Sequence, residues 1–171
     1  MIGVFGSAFN PPTRGHLDAI TQALSVCEEV WLVPSIAHAF QKQMIPFEGR
    51  LSLIEAFVSD INDSRLKICR IEEELWDGEG SVFTVDVLQA LQVQNPDKDF
   101  AFLCGPDNIL ALHLFERPQV ILSQHHVFSL RDRTGIRSTM VRNAAYFDNP
   151  IGEMVTGSVL KIIKEQRLYE Q

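Results

Sequence analysis

Ile2-Gly3-Val4-Phe5-Gly6-Ser7-Ala8-Phe9-Asn10-Pro11-Pro12-Thr13-Arg14-Gly15-His16 opens the chain, and Leu17-Asp18-Ala19-Ile20-Thr21-Gln22-Ala23-Leu24 follows. A short apolar run, a proline-stiffened loop and apolar residues at helical spacing read as strand, loop and helix. Gly6 lets the backbone turn sharply at the strand end. Pro11 and Pro12 stiffen the loop and have no N–H to donate. Gly15 removes a side chain where the helix begins, and His16 lies in its first turn. A helix start presents unpaired N–H groups and partial positive charge to an anion. An imidazole there donates to phosphate oxygens, more strongly when protonated. From these residues alone, a phosphate site and a plain helix start stay equally open. Gly-Lys-Ser/Thr and Gly-x-Gly-x-x-Gly are both missing from the stretch, so it is neither a P-loop nor the usual dinucleotide fingerprint.

The same alternation continues. Strands are predicted at Ile2–Gly6, Val30–Pro34, Leu66–Arg70, Phe100–Gly105 and His126–Leu130. Helices are predicted at Gly15–Cys27, Phe47–Asp60, Ser81–Gln94, Ser138–Tyr146 and Gly152–Gln166, with a broken helical stretch from Asp107 to Leu122. Nearly continuous apolar strands separated by helices indicate a parallel sheet covered on both faces. With right-handed crossovers the expectation is an α/β fold: a doubly wound, open parallel sheet in three layers, one domain over residues 1–171. Ligands should gather where strand C-termini meet helix N-termini.

Composition narrows the function classes. A formal net charge of −7 argues against a surface built to hold a nucleic acid polymer, while leaving room for a local anion site. No apolar run approaches the ~20 residues that cross a bilayer, and no secretory signal is visible, so no membrane partner is expected. Cys27, Cys69 and Cys104 are widely spaced among apolar neighbours and read as reduced, buried thiols in a cytoplasmic protein. No group of residues has metal-ligand spacing. A homo-oligomer is compatible with all of this.

A second anion site is suggested by Ile136-Arg137-Ser138-Thr139-Met140-Val141-Arg142. Ser138 or Thr139 would cap the next helix, and Arg142, one turn on, would bring a planar fork suited to phosphate. An ordinary capped helix reads the same way. Asp107, after a strand end, suits two ribose hydroxyls. Thr84 is either a helix cap or a substrate contact. Phe115 is either a core aromatic or a ring stacked on a pyridine. Lys42, in the long loop after Pro34, is a candidate for an acceptor's phosphate.

Gly6, Phe9, Asn10, Pro11, Thr13, Gly15 and His16 together resemble the first signature of the nucleotidyltransferase superfamily. Ile136, Ser138, Thr139 and Arg142 resemble its second, with Arg137 in place of the usual serine. The two come in the family's order. The middle of the chain looks like the nicotinate- and nicotinamide-mononucleotide adenylyltransferases: Thr84-Val85-Asp86 before Leu88, Gly105-Pro106-Asp107-Asn108, Leu114-Phe115-Glu116-Arg117-Pro118, and the ending Arg167-Leu168-Tyr169. Ser7 and Ala8 replace the common Gly-Thr. Thr13 and the short span from Leu130 to Ile136 are features shared with phosphopantetheine adenylyltransferases.

The resemblance implies a Rossmann-like enzyme that transfers AMP from ATP to nicotinate mononucleotide, or to nicotinamide mononucleotide, with release of pyrophosphate. Its site would have His16 and Thr13 as catalytic residues. ATP would be held by Gly6, Ser7, Phe9, Gly15, Gly105, Asp107, Ser138, Thr139 and Arg142, and the acceptor by Asn10, Lys42, Thr84 and Phe115. Mg²⁺ would be the cofactor, bridging triphosphate oxygens. The alternatives are phosphopantetheine as acceptor, or a non-catalytic nucleotide-binding protein of the same fold.

Overall fold

The computed structural model describes residues 1–37 and 44–170. Five strands, β1 (Ile2–Ser7), β2 (Glu29–Pro34), β3 (Leu66–Ile68), β4 (Phe100–Cys104) and β5 (His126–Ser129), form one parallel sheet in the order β3-β2-β1-β4-β5. All five expected strands are present and all neighbours are parallel. The helices are α1 (Arg14–Ala23), α2 (Phe47–Ile61), α3 (Ile71–Leu75), α4 (Thr84–Gln94), α5 (Pro106–Leu110), α6 (Pro118–Gln124), α7 (Ser138–Tyr146) and α8 (Gly157–Glu165).

Alternation along the strands divides the core in two. Phe5, Val30, Leu32 and Leu103 point to one face, where they pack with Ile20 and Ala23 of α1, Leu53, Ile54 and Phe57 of α2, Val141 of α7 and Val159 and Ile163 of α8. Ile2, Val4, Val33, Phe100 and Phe102 point to the other face, against Ile71 of α3, Val85, Leu88 and Leu91 of α4 and Ile121 of α6. A side-chain period of two on buried strands produces this split, and helices on both faces complete the three layers.

Strand order reverses at β1, which lies between β2 and β4. The carboxyl ends of β1 and β4 therefore open into a crevice, the usual ligand position in an open α/β sheet. Gly6 and Ser7 lie on one side of it and Gly105 and Asp107 on the other.

Several boundaries differ from the expected ones for identifiable reasons. Helix α3 was missed because five residues, three of them glutamates, carry too little periodicity to register. The Asp107–Leu122 stretch resolves into α5, a 3₁₀ turn at Leu112–Leu114 and α6, broken where Arg117 adopts φ 45° before Pro118. Helix α8 begins at Gly157 rather than Gly152, since a turn over Ile151–Met154 comes first. Neither Ser138 nor Thr139 caps α7: Arg137 is its N-cap residue, and no side chain makes a capping hydrogen bond there.

Candidate active site

The first anion motif is built around a capping box at the start of α1. Thr13 is the N-cap; its hydroxyl accepts from the His16 N–H at 3.4 Å, and its own backbone N–H donates to His16 Nδ1 at 3.0 Å. A capping box normally ends in Glu or Gln, and here the imidazole fills that role. Because Nδ1 accepts a backbone N–H, it carries no proton. Burial lowers the pKa of His16 to about 4, so the ring is neutral at pH 7 with its hydrogen on Nε2. Nε2 lies 3.1 Å from Ser7 Oγ at the end of β1, which marks the direction in which the ring donates. Phe9 backs the imidazole, with ring centroids 4.9 Å apart.

Two consequences follow for these side chains. His16 is a neutral imidazole with its one N–H on Nε2, since the burial that accompanies its fixed orientation disfavours the imidazolium. Thr13 is fully buried, and its hydroxyl is engaged with His16 through the cap. The Phe9 side chain is likewise fully buried, so what it supplies to the site is the surface behind His16.

The second motif is drawn against the first by contacts that sequence spacing does not reveal. A Cβ on Gly15 would lie 2.2 Å from the backbone oxygen of Ile136, so only glycine lets these segments meet. Ser138 Oγ donates to the Pro11 carbonyl at 2.7 Å. Arg142 Nη1 donates to the Asn10 carbonyl at 2.8 Å, and Nη2 to Thr139 Oγ1 at 3.2 Å. With α7 uncapped by any side chain, the N–H groups of its first turn are available to an anion. Asn10 is buried. Its amide oxygen accepts from the Tyr169 hydroxyl at 2.8 Å, so this side chain anchors the loop.

Three adjoining cavities result. One of about 260 Å³ is lined by His16, Gly15, Gly105, Asp107, Arg137 and Ser138. A second, of about 320 Å³, is lined by Gly6, Ser7, Asn10, Ser138, Thr139 and Arg142. A third, of about 130 Å³, is lined by Gly6, Ser35, Glu72, Thr84, Phe102 and Phe115. Asn108 borders all three, and Ser138 joins the first two. His16 and Arg142 thus face neighbouring compartments of one crevice. A larger groove of about 1250 Å³, beside Phe47, Arg50 and Trp76, has none of the phosphate-motif residues in its described lining.

In the smallest cavity Thr84 makes no capping bond, which leaves its hydroxyl to the cavity. Phe115 packs on Phe102 at 5.9 Å between centroids and also walls the cavity. Asp86 pairs with Arg117, joining the two central motifs. Lys42 lies outside the described residues.

Arg137 donates to Asp107 at 2.6 Å and to Asp132 at 3.3 Å, and these carboxylates raise its pKa. Its charge is therefore shared with Asp107, the expected ribose acceptor, rather than held free beside a polyphosphate. Sequence reading passed over Glu72, took Asn108 only as part of the Gly105–Asn108 turn, and gave Arg50 no role beyond a local pairing at a helix start. Glu72 was hidden in a run of three glutamates, yet it is buried and accepts the Ile36 N–H at 2.9 Å; burial pushes its pKa up to about 7, against the lowering effect of that bond and of Arg50.

Comparison with known proteins agrees with this arrangement. Residues 4–144 match the cytidylyltransferase-like family model. A Myxococcus xanthus protein named "Probable nicotinate-nucleotide adenylyltransferase" is 30% identical, over 98% of this chain and 94% of its own. One of the same name from Anaeromyxobacter dehalogenans is 31% identical, over 98% and 96%. A Vibrio parahaemolyticus structure assigned as a nicotinate-nucleotide adenylyltransferase superposes with a TM-score of 0.85 at 29% identity, covering 98% of this chain and 94% of that one. A Plasmodium falciparum nicotinic acid mononucleotide adenylyltransferase complexed with NaAD shares the fold, with a TM-score of 0.75 at 17% identity and coverage of 98% and 96%. With its crevice at the strand-order reversal and both anion motifs closed around it, the chain belongs to the cytidylyltransferase-like family, in its nicotinate-nucleotide adenylyltransferase branch.

Proposed function

We propose that this chain transfers AMP from ATP to the phosphate of nicotinate mononucleotide, or of nicotinamide mononucleotide, forming a dinucleotide in NAD biosynthesis in the cytoplasm. An acceptor phosphate oxygen attacks the α-phosphorus in line, the bond to the β-phosphate oxygen breaks, and pyrophosphate leaves. The attacking oxygen is already ionised at neutral pH, so no protein nucleophile is required, and catalysis is a matter of positioning and charge stabilisation.

His16 donates from Nε2 to the α-phosphate, in the direction now set by Ser7, and Thr13 and Phe9 hold the ring. Ser138, Thr139, Arg142 and the first-turn N–H groups of α7 take the β- and γ-phosphates. Asp107 meets the ATP ribose once Arg137 shares it. The cavity of about 130 Å³ walled by Phe115 and Thr84 takes the acceptor's base, while Lys42 is assigned to the acceptor's phosphate. Mg²⁺ carried on the triphosphate would supply charge neutralisation for the leaving pyrophosphate. Among the described residues no three His, Cys, Asp or Glu side chains gather to hold an ion. Among the described residues, too, no helix is long and apolar enough to cross a membrane.

The observation that carries this reading is the contact of Gly15 with Ile136 and of Ser138 with Pro11, which folds two anion motifs onto one crevice. The test is purified protein with ATP, Mg²⁺ and each mononucleotide, scored for pyrophosphate and dinucleotide, with phosphopantetheine as a control acceptor. His16→Ala should lower kcat by on the order of 100-fold or more. Turnover with phosphopantetheine alone, or none with any acceptor, would reject the assignment.

A further inference from the structure

Arg50, at the start of α2, is 1% exposed, and its hydrogen-bond partners among the described residues are carbonyl oxygens rather than carboxylates. Burying a cation without an ion-pair partner is costly, and an apolar side chain of the same size often serves packing as well or better. What the apolar side chain lacks is the fork. Nη1 donates to the Ala8 carbonyl at 2.8 Å, Nε to Ile45 at 3.3 Å and Nη2 to Ile36 at 3.4 Å. Ala8 belongs to the phosphate loop, next to the Ser7 that faces His16. Ile36 follows β2 and Ile45 precedes α2, so they flank the segment between those elements.

The Ile36 residue is held a second time. Its N–H donates to Glu72, which lines the small cavity with Thr84 and Phe115, and its carbonyl takes Arg50. One guanidinium thus connects the loop that aims His16 with Ile36, which Glu72 ties in turn to the acceptor cavity.

We propose that Arg50 is a positioning residue of the transfer reaction, clasping the phosphate loop at Ala8 to Ile45 and to Ile36, whose N–H is held by Glu72 of the acceptor cavity. It touches no substrate; it acts through Ser7 and His16 on one side and through Ile36 on the other. A lysine keeps the charge, but its single ammonium cannot reproduce three divergent bonds from a planar fork. The proposal rests on the adenylyl-transfer reading for its kinetic arm only.

The experiment compares wild type, Arg50→Lys and Arg50→Met in three measurements: thermal unfolding, steady-state kinetics with ATP and each mononucleotide, and amide exchange of segments 2–12 and 31–37. Both variants should remain folded, with Tm within a few degrees of wild type. In both, kcat should fall by about 10- to 100-fold, the misplacement penalty for reacting groups moved by an ångström or less. The mononucleotide KM should rise more than the ATP KM, and both segments should exchange faster. A folded Arg50→Lys variant with wild-type kcat and wild-type exchange overturns the proposal. So does an activity loss that only follows lost stability and returns on cooling. If wild type itself makes no dinucleotide, the proposed function fails, while exchange in the two segments still decides whether Arg50 clasps them.

Discussion

Replacing Gly15 by alanine sets a local rule against a tertiary contact. Gly15 is the second residue of α1, where alanine is the better helix former by up to about 1 kcal/mol. Sequence reasoning alone would expect stabilisation. The new Cβ, however, would stand 2.2 Å from the Ile136 backbone oxygen and 3.3 Å from both the Ile136 carbonyl carbon and Thr13 Oγ1. Carbon and oxygen in contact sit at about 3.3 Å or beyond, so the chain at Ile136 must retreat by roughly 1 Å. No side-chain rotation relieves the clash, because the obstacle is backbone. Overpacking of this kind costs about 1–3 kcal/mol, which reverses the sign expected from propensity. Ser138 and Arg142, in the helix that starts just after Ile136 and Arg137, would retreat from Pro11 and Asn10 with it. A displacement near 1 Å between groups sharing one polyphosphate should lower kcat/KM for ATP by about 100-fold. The assay is pyrophosphate release across an ATP titration, with Tm measured on the same samples. A Gly15→Ala variant as stable as wild type, with unchanged kcat/KM, would show that the two motifs do not meet at this point.

Two further outcomes follow from the site's geometry and charge. Glu72 has a pKa of about 7 in the fold against an ordinary 4.5, so the native state holds a proton that the unfolded chain has released. The resulting stabilisation is complete below pH 4.5 and is lost as pH rises through 7, about 3 kcal/mol in all. Glu72→Gln should therefore raise Tm relative to wild type at pH 8 but not at pH 5, and an equal shift at both would refute this. Arg142→Lys keeps a positive charge but gives up the paired bonds to Asn10 and Thr139. The ATP KM should rise by about 10-fold while the mononucleotide KM changes little, and unchanged ATP affinity in a binding titration would remove Arg142 from the phosphate site.

Much of the fold was legible because buried parallel strands announce themselves. Each of the five is a short apolar run rich in Val, Ile, Leu or Phe, and each was found within two residues of its ends. The phosphate motifs were legible because glycine, proline and capping residues act locally. Glu72 escaped because a run of acids reads as a solvated face. Arg50 escaped because an arginine opening a helix has so many ordinary explanations. Burial alone separates these cases, and burial depends on what other segments do.

Local sequence by itself determined the strand–loop–helix unit that presents His16, the sheet class, and the family whose chemistry those residues carry. Only the tertiary structure decided that the imidazole is neutral, that Thr13 and Asn10 face inward as supports, and that Arg137 leans on Asp107. The reason is physical. Strand and helix formation depend on neighbours a few residues away, whereas a protonation state or a hydrogen-bond partner depends on dielectric and on groups brought in from distant parts of the chain. Asn10 meets Tyr169 across nearly the whole sequence, and Gly15 meets Ile136 only because the sheet places β1 beside β4 and β4 beside β5.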